Sequence, residues 1–310
     1  MPTKAQIHID RPLSNISTKY RNADLIADKI SPMIPVMKDT DKYFVYSKDN
    51  LRIEETLRAP KAVSREVSFS VSTSTYSLAK HALKAKIGDD EKENTDNPLN
   101  LVVDAVEDLT DKILLKKEED VLGIISTATN WANTTSLTST YAWNAYTTLS
   151  NPVPFVDSAS SVIAQNTGKT PNTMVIDQST FYAIKEHPSI VDRVKYTSSD
   201  SVTETLMAKL FNIPKLYVSK AIINSGKEGL TDSVGYLMTD CAWIGYVEPN
   251  PGVRKVSALY SFHGKKSGTP FTTKKWREEE IECDIYEVNT KYDNKIISSD
   301  CGYLIVNTVQ

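Results

Sequence analysis

The sequence predicts an α+β chain, and three observations predict it. The stretch Asn97 to Ala128 repeats apolar residues at helical spacing on one side only. Strand-like runs at 42–47, 65–72 and along the C-terminal part are β-branched, aromatic or alternating. Between them, residues 157–245 read as a compact mixed unit of short helices and short apolar strands.

The first 42 residues are thinly apolar, with Ile7, Leu13, Leu25, Ile26, Ile30 and Ile34 scattered among polar neighbours. Asn22 to Ile30 can form one short amphipathic helix before Pro32 and Pro35 stop regular structure. Such an arm buries too little to fold alone, so it is read as laid along a partner, with a plain flexible terminus as the alternative. Lys42 to Ser47 and Arg65 to Ser72 then form a long two-stranded ribbon over 43–76, with Val67, Phe69 and Val71 on one side. A charged connection joins the strands, carrying Arg52, Glu54, Glu55 and Arg58. An isolated hairpin is only marginally stable in water, so this ribbon needs a neighbour.

Tyr76 to Gly88 reads as a helix through Leu78, Ala79, Ala82 and Leu83, followed by a polar turn from Asp89 to Thr95. Asn97 can cap the long helix and Pro98 suits its first turn. From Pro98 to Ala128 the rod is roughly 46 Å long at about 1.5 Å per residue. Asn130 to Ser150 reads as a loop crossing into the second unit. There, Asp157–Gln165 is a helix and Thr173–Ile176 a buried strand. Asp177 or Ser179 caps a helix that ends at His187–Pro188, and Glu204–Phe211 is a helix closed by Asn212 and Pro214. Leu216–Val218, Val234–Met238, Trp243–Val247 and Val256–Phe262 are strands. Glu280 to Ile285 alternates as a strand, Asn289 to Asn294 reads as a polar turn, and Lys295 to Val306 returns as strand.

Composition narrows the function. Over 310 residues, 40% are hydrophobic and 24% charged, enough for a sizeable core and up to two domains. A net charge of -3 argues against a strongly basic nucleic-acid binder. No apolar run approaches the ~20 residues that cross a bilayer, and the start lacks the apolar core of a secretory signal. Cys241, Cys283 and Cys301 read as reduced, mostly buried thiols made in a cytosol.

Chemistry-bearing motifs are missing. His8, His81, His187 and His263 are scattered, with no zinc-ligand spacing. His187, before Pro188, suits the capping of a carbonyl at a helix end. Gly168-Lys169-Thr170 mimics the tail of a phosphate loop, but position 163 is Ile and Pro171 follows directly. Gly264 to Gly268 reads as a basic turn. Glu118-Glu119-Asp120 and Glu278-Glu279-Glu280 are consecutive, so they point in different directions and read as solvated faces rather than an acid–base pair. Glu278 onward offsets the basic cluster of Lys265, Lys266, Lys274, Lys275 and Arg277. No catalytic residue, cofactor or metal site is assigned.

One stretch is specific. Residues 168–220 run G-K-T-P-N-T-M-V-I-D-Q-S-T-F-Y-A-I-K-E-H-P-S-I-V-D-R-V-K-Y and then, further on, L-M-A-K-L-F-N-I-P-K-L-Y-V-S-K-A. This succession of strand, capped helix, His-Pro link, helix and strand resembles the major capsid proteins of tailed bacteriophages with the Hong Kong 97-like (HK97-like) shell fold. The ending D-N-K-I-I-S-S-D-C-G-Y-L-I-V is similar to the family's last strands.

The resemblance implies a layout. Residues 1–42 become the N-terminal arm, and 43–76 the extended loop over an adjacent subunit. Residues 77–148 and 271–298 become the peripheral domain, with 97–128 as its spine. Residues 149–270 and 299–310 become the axial domain, and Asn289 to Asn294 a turn near three-fold contacts. It implies a non-enzymatic subunit that self-assembles through hexamers and pentamers into an icosahedral virion head enclosing double-stranded DNA. Scaffolding protein, portal and decoration proteins are its implied partners, with synthesis in the host bacterial cytoplasm. Because the arm starts at Met1, a separate scaffolding protein is expected. Arg52, Glu54, Glu55 and Arg58 are read as subunit-interface ion pairs. Lys48 or Lys61 with Asn289 or Asn294 are the only imaginable crosslink pairs, and no motif supports them. Two rivals stay open: an encapsulin-type nanocompartment shell and a two-domain cytosolic enzyme.

Overall fold

The structure is a computed structural model. It describes residues 8–9, 25–46, 48–67, 71–93, 101–195, 202–227, 229, 231–252, 255–264 and 270–310. The expected cap at Asn97 and Pro98, Phe69 of the ribbon, Lys265 and Lys266, and most of the arm lie outside the described residues.

In chain order the first part holds β1 (His8–Ile9), α1 (Ala27–Ile30), β2 (Met33–Val36), β3 (Thr40–Tyr46), β4 (Val71–Ser77) and β5 (Ala79–Gly88). Helices α2 (Asp89–Glu93) and α3 (Leu101–Ser126) follow, then β6 (Asn133–Ser136) and α4 (Pro152–Thr167). Next come β7 (Thr173–Asp177), α5 (Gln178–Glu186), α6 (Pro188–Val194), α7 (Glu204–Leu210) and β8 (Lys215–Ser219). The chain ends with β9 (Ile222–Asn224), β10 (Val234–Tyr236), β11 (Cys241–Gly245), β12 (Leu259–Gly264), β13 (Thr272–Glu278), β14 (Cys283–Ile296) and β15 (Gly302–Val306).

Two sheets organise these elements. The first runs β1-β13-β14-β12-β2, with β5 on the opposite edge of β14. The second runs β6-β15-β11-β7-β8. Strand β7 is wholly buried, as its run Thr-Met-Val-Ile-Asp requires. The Asp177 carboxylate accepts the N–H groups of Ser179 and Thr180 at the start of α5, which is the expected cap. Gly168 closes α4 in the left-handed region (φ 67), so the Gly-Lys-Thr run is a helix stop. Gly302 opens β15 where a Cβ would stand 2.3 Å from the Trp131 ring.

The long helix α3 joins the two layers. Val106, Leu109 and Ile113 pack on Ile87, Phe271, Tyr286 and Val288 of the first layer. Eight residues beyond Ile113, Val121 with Leu122 and Ile125 packs against Val175, Trp243 and Leu304 of the second sheet, and against Ile26, Ala27 and Ile30 of the N-terminal segment. A third cluster fills the other face of the second sheet, under α4 to α7.

Five expectations need correction. Residues 79–88 are a strand, not a helix: ten residues pair with β14 from Ala79↔Tyr292 to Gly88↔Cys283. The ladder satisfies the backbone, and Lys80 and Lys86 alternate to the outer face, where they meet Glu287 and Glu278. Asn289 to Asn294 is no turn but the middle of the 14-residue strand β14, whose edges are taken by β5, β13 and β12. Two of its polar side chains have partners there: the Asn289 amide donates to Glu287, and the Thr290 hydroxyl donates to the Pro270 carbonyl. The alternation at 280–285 is interrupted, because Glu282 takes a left-handed conformation (φ 46) after a single 3-10 turn over Glu279–Ile281. The supposed loop after α3 includes β6, a parallel neighbour of β15. His187 caps one N–H group at the start of α6 rather than a carbonyl: its Nδ1 accepts from the Ser189 N–H, and its Nε2 meets the Ser150 hydroxyl. Burial lowers its pKa from the ordinary histidine value.

Candidate assembly surface

The ribbon grows from a fixed root. Strands β3 and β4 pair antiparallel from Thr40↔Ser77 to Tyr46↔Val71. Alternation puts Tyr43 and Tyr76 on one face, and both rings meet Phe262 of β12. Tyr76 stacks on it at 4.6 Å between centroids, and Tyr43 lies at 5.4 Å. The Ser77 N–H donates to the Asp293 carboxylate, and the Leu78 N–H donates to the Asp39 carbonyl. Arg65 to Val67, expected to be strand, lie outside β4 as part of the connection.

Beyond the root the connection leaves the body. Every residue from 51 to 67 is exposed, including Ile53 at 100%, Val63 at 95% and Leu57 at 89% of their full accessible surface. A chain segment gains nothing in water by holding such side chains out, so apolar surface of this kind marks an interaction site. The tip is nonetheless shaped. The Ala62 N–H donates to the Ala59 carbonyl at 3.1 Å, with Pro60 and the left-handed Lys61 (φ 64) between them, the pattern of a type II turn. The Arg58 guanidinium braces that turn by donating to the Ala62 carbonyl at 2.6 Å.

All four residues expected at a subunit interface therefore lie on this exposed connection. Glu55 accepts the Leu57 N–H and Arg58 holds the turn, while the side chains of Arg52 and Glu54 are exposed. The imagined crosslink residues are occupied or unsupported. Lys48 pairs with Asp300 at 2.8 Å, and Asn289 bonds Glu287. The basic cluster is also committed: Lys275 pairs with Asp284, and Arg277 with Asp89 at 2.7 Å. That pairing holds the Asp89 carboxyl down at about 2, the Arg277 hydrogen bonds being the main cause. Among the described residues, no group of three or more His, Cys, Asp or Glu is placed to hold a metal, and no helix is long and apolar enough to cross a membrane.

The described part of the N-terminal segment, expected to lie along a partner, packs instead on this chain's own α3 and β12, and Glu118, expected on a solvated face, belongs to that seat. Glu118 is not solvated; it has no exposed surface. Its carboxylate accepts the Ile26 N–H at 3.0 Å and the Ala27 N–H at 2.7 Å. Those groups start α1, whose own N-cap residue provides no side-chain cap. Its neighbour Lys117, 4% exposed, donates to the Asp28 carboxylate at 2.5 Å and meets His263 Nε2 at 3.0 Å. Burial pushes the Glu118 carboxyl above its ordinary pKa, against the pull of the two N–H donors. The signal was in the spacing: Ile113, Lys117 and Val121 are four apart, so Lys117 sits on the buried stripe.

No family model matches the chain. The major capsid protein of Burkholderia phage BcepMu is 26% identical over 303 residues, covering 96% of this chain and 95% of that protein. The major capsid protein of Pseudomonas phage JBD67 is 30% identical over 238 residues, 75% of each chain. Among solved structures, a phage-related protein from Bordetella bronchiseptica RB50 superposes with a TM-score of 0.80 at 25% identity, over 97% of this chain and 98% of that one. The capsid of cyanophage P-SCSP1u gives 0.61 at 8% identity, over 99% of this chain and 92% of that one. The SrpI encapsulin of Synechococcus elongatus PCC 7942 gives 0.53 at 12%, over 98% of both chains. At those last identities the likeness is one of fold.

Proposed function

The chain belongs to the major capsid proteins of bacteriophages, has their HK97-like α+β fold and forms a shell, and we propose that its exposed ribbon is the strap by which one copy covers the next. The observation that carries this is the connection over 51–67, whose Ile53, Leu57 and Val63 side chains stand in solvent in the single chain. Repeated heterologous contacts of this kind close into rings and shells. The product is an icosahedral head of pentamers and hexamers around double-stranded DNA, built with a scaffolding protein, a portal and, on some surfaces, decoration proteins.

The body then divides into two parts. Residues 77–148 and 271–298 form the peripheral part, and residues 149–270 with 299–310 the axial part that meets at the centre of each capsomer. Arg52, Glu54, Glu55 and Arg58 make inter-subunit ion pairs, individually weak and many times repeated. A net charge of -3 suits a wall that holds DNA without gripping it, because dense phosphate contacts give tight, salt-dependent binding. The chain performs no catalysis in this account; its relatives are named for a structural role.

An encapsulin-type compartment has the same fold, but the relatives at 26% and 30% identity are phage capsid proteins, which favours the virion. Electron microscopy of the expressed chain, alone and with its scaffolding protein, tests the proposal. Closed shells or capsomers support it. A monomer under every condition overturns it, and shells that hold an enzyme cargo in place of nucleic acid favour the compartment.

A further inference from the structure

We propose that the seating of residues 25–36 on the long helix is proton-controlled, with His263 as the sensor and Lys117 as the latch. This segment is a strap. It is held by the buried side chains of Ile26, Ala27 and Ile30, by Glu118 at its backbone, and by a four-residue parallel pairing of β2 with β12 that includes the donor-less Pro35. At its centre Lys117 Nζ lies between two acceptors, the Asp28 carboxylate on the strap and Nε2 of His263 on β12.

The ammonium of Lys117 has only protons to offer, so His263 must be neutral and must present the lone pair of Nε2. Its proton then sits on Nδ1, which is buried and has no partner among the described residues. A proton added to His263 would set two cations 3.0 Å apart in a site where His263 is 7% and Lys117 4% exposed. That arrangement is not stable. The contact is relieved when Lys117 swings away, and with it goes the bond to Asp28 that fastens the strap. A small cavity lined by Asp28, Met33, Ile113, Lys117, His263 and Tyr292 lies at this point.

The surroundings supply few opposing charges. From α3 come Lys117, Glu118 and Asp120, the last bonded to the Tyr292 hydroxyl. From the strap come Asp28 and Lys29, the latter over the Tyr217 ring. From β14 comes the Tyr292 ring, stacked between His263 and His81 of β5. Burial first, and the Lys117 charge second, hold His263 down at about 3, with Asp28 pulling the other way. The sign follows. The seated state binds fewer protons than the open state, so seating is fully favoured above the ordinary histidine value of 6.5 and is lost progressively below it. Glu118 opposes this, since its raised pKa makes the seated state take up a proton first.

Hydrogen–deuterium exchange of the full chain tests the proposal, whether or not the chains assemble. For the peptide covering residues 25–31, corrected for intrinsic exchange, opening should rise about tenfold between about pH 7.5 and about pH 5.5. Peptides covering Val175 and Trp243 should stay unchanged. His263→Gln, which keeps an acceptor and loses the titration, should flatten the rise, while Glu118→Gln should keep it. A flat wild-type profile, a His263→Gln profile as steep as wild type, or loss of the rise in Glu118→Gln overturns it.

Discussion

The carboxylate of Glu118 accepts the backbone N–H of Ala27 at 2.7 Å, across 91 residues of sequence. It therefore does for α1 what a local cap does for other helices, and it does so from the middle of the longest helix. Removing it by Glu118→Ala leaves buried N–H groups unpaired and should cost about 1–3 kcal/mol of stability. Equilibrium unfolding in urea measures this, and limited proteolysis should cut the variant first within residues 25–36. Unchanged stability and cleavage would show that the segment is held by its apolar side chains alone.

The ribbon root makes a second prediction. Phe262, 5% exposed, supports both Tyr43 and Tyr76, so Phe262→Ala should destabilise the chain by about 3–5 kcal/mol. Amide exchange in β3 and β4 should accelerate more than exchange in the second sheet. Equal acceleration in both would place Phe262 in a common core instead.

The strap beyond the root behaves differently. Ile53 and Leu57 stand almost wholly in solvent in the single chain, so Ile53→Ser with Leu57→Ser should leave folding within about 0.5 kcal/mol of wild type. Particle yield should collapse all the same. Reversing charge at Arg52 and Arg58 should also impair assembly, and unchanged yield would count against the ion-pair reading.

Acid should reveal the Asp89–Arg277 pair. Its pairing holds the Asp89 carboxyl at about 2 against an ordinary 3.8, so its contribution is present above 3.8 and fades as pH falls toward 2. Asp89→Asn should flatten that part of the stability–pH curve. Both groups are exposed, so high salt should shrink the difference as well.

Thiol chemistry reports on burial. Cys241 is pushed up to about 12 by burial and by Asp177 and Asp240, and burial also raises Cys301. At about pH 8 a maleimide should label Cys283 first, and Cys241 only on unfolding. Early labelling of Cys241 would contradict the packing around β11.

Much of this was legible in residue order, and the exceptions have physical causes. The capped helix after Asp177, the buried strand over 173–177 and the long one-sided helix are local devices, in which propensity, caps and period agree. Residues 79–88 misled because Leu and Ala favour helices. The alternation of Lys80, Lys84 and Lys86 against His81, Ala85 and Ile87 was the truer signal, and pairing with β14 decides it. Asn289 to Asn294 misled in the opposite way: polar residues usually mark turns, but both edges of β14 supply partners there. Glu118 was misread because its partner is backbone from a distant segment, which no spacing rule announces. The ribbon's four charged residues lie on the exposed connection, where Glu55 and Arg58 also shape the tip, and their pairing with another copy is a proposal of this account.

One measurement tests that claim most directly. With Cys283→Ser as background, the thiol introduced by Ile53→Cys is titrated in free subunits and in assembled particles. The account predicts fast labelling when free, protection on assembly, and crosslinking to a neighbouring chain. Equal reactivity in both states would contradict it, because the ribbon would then cover nothing.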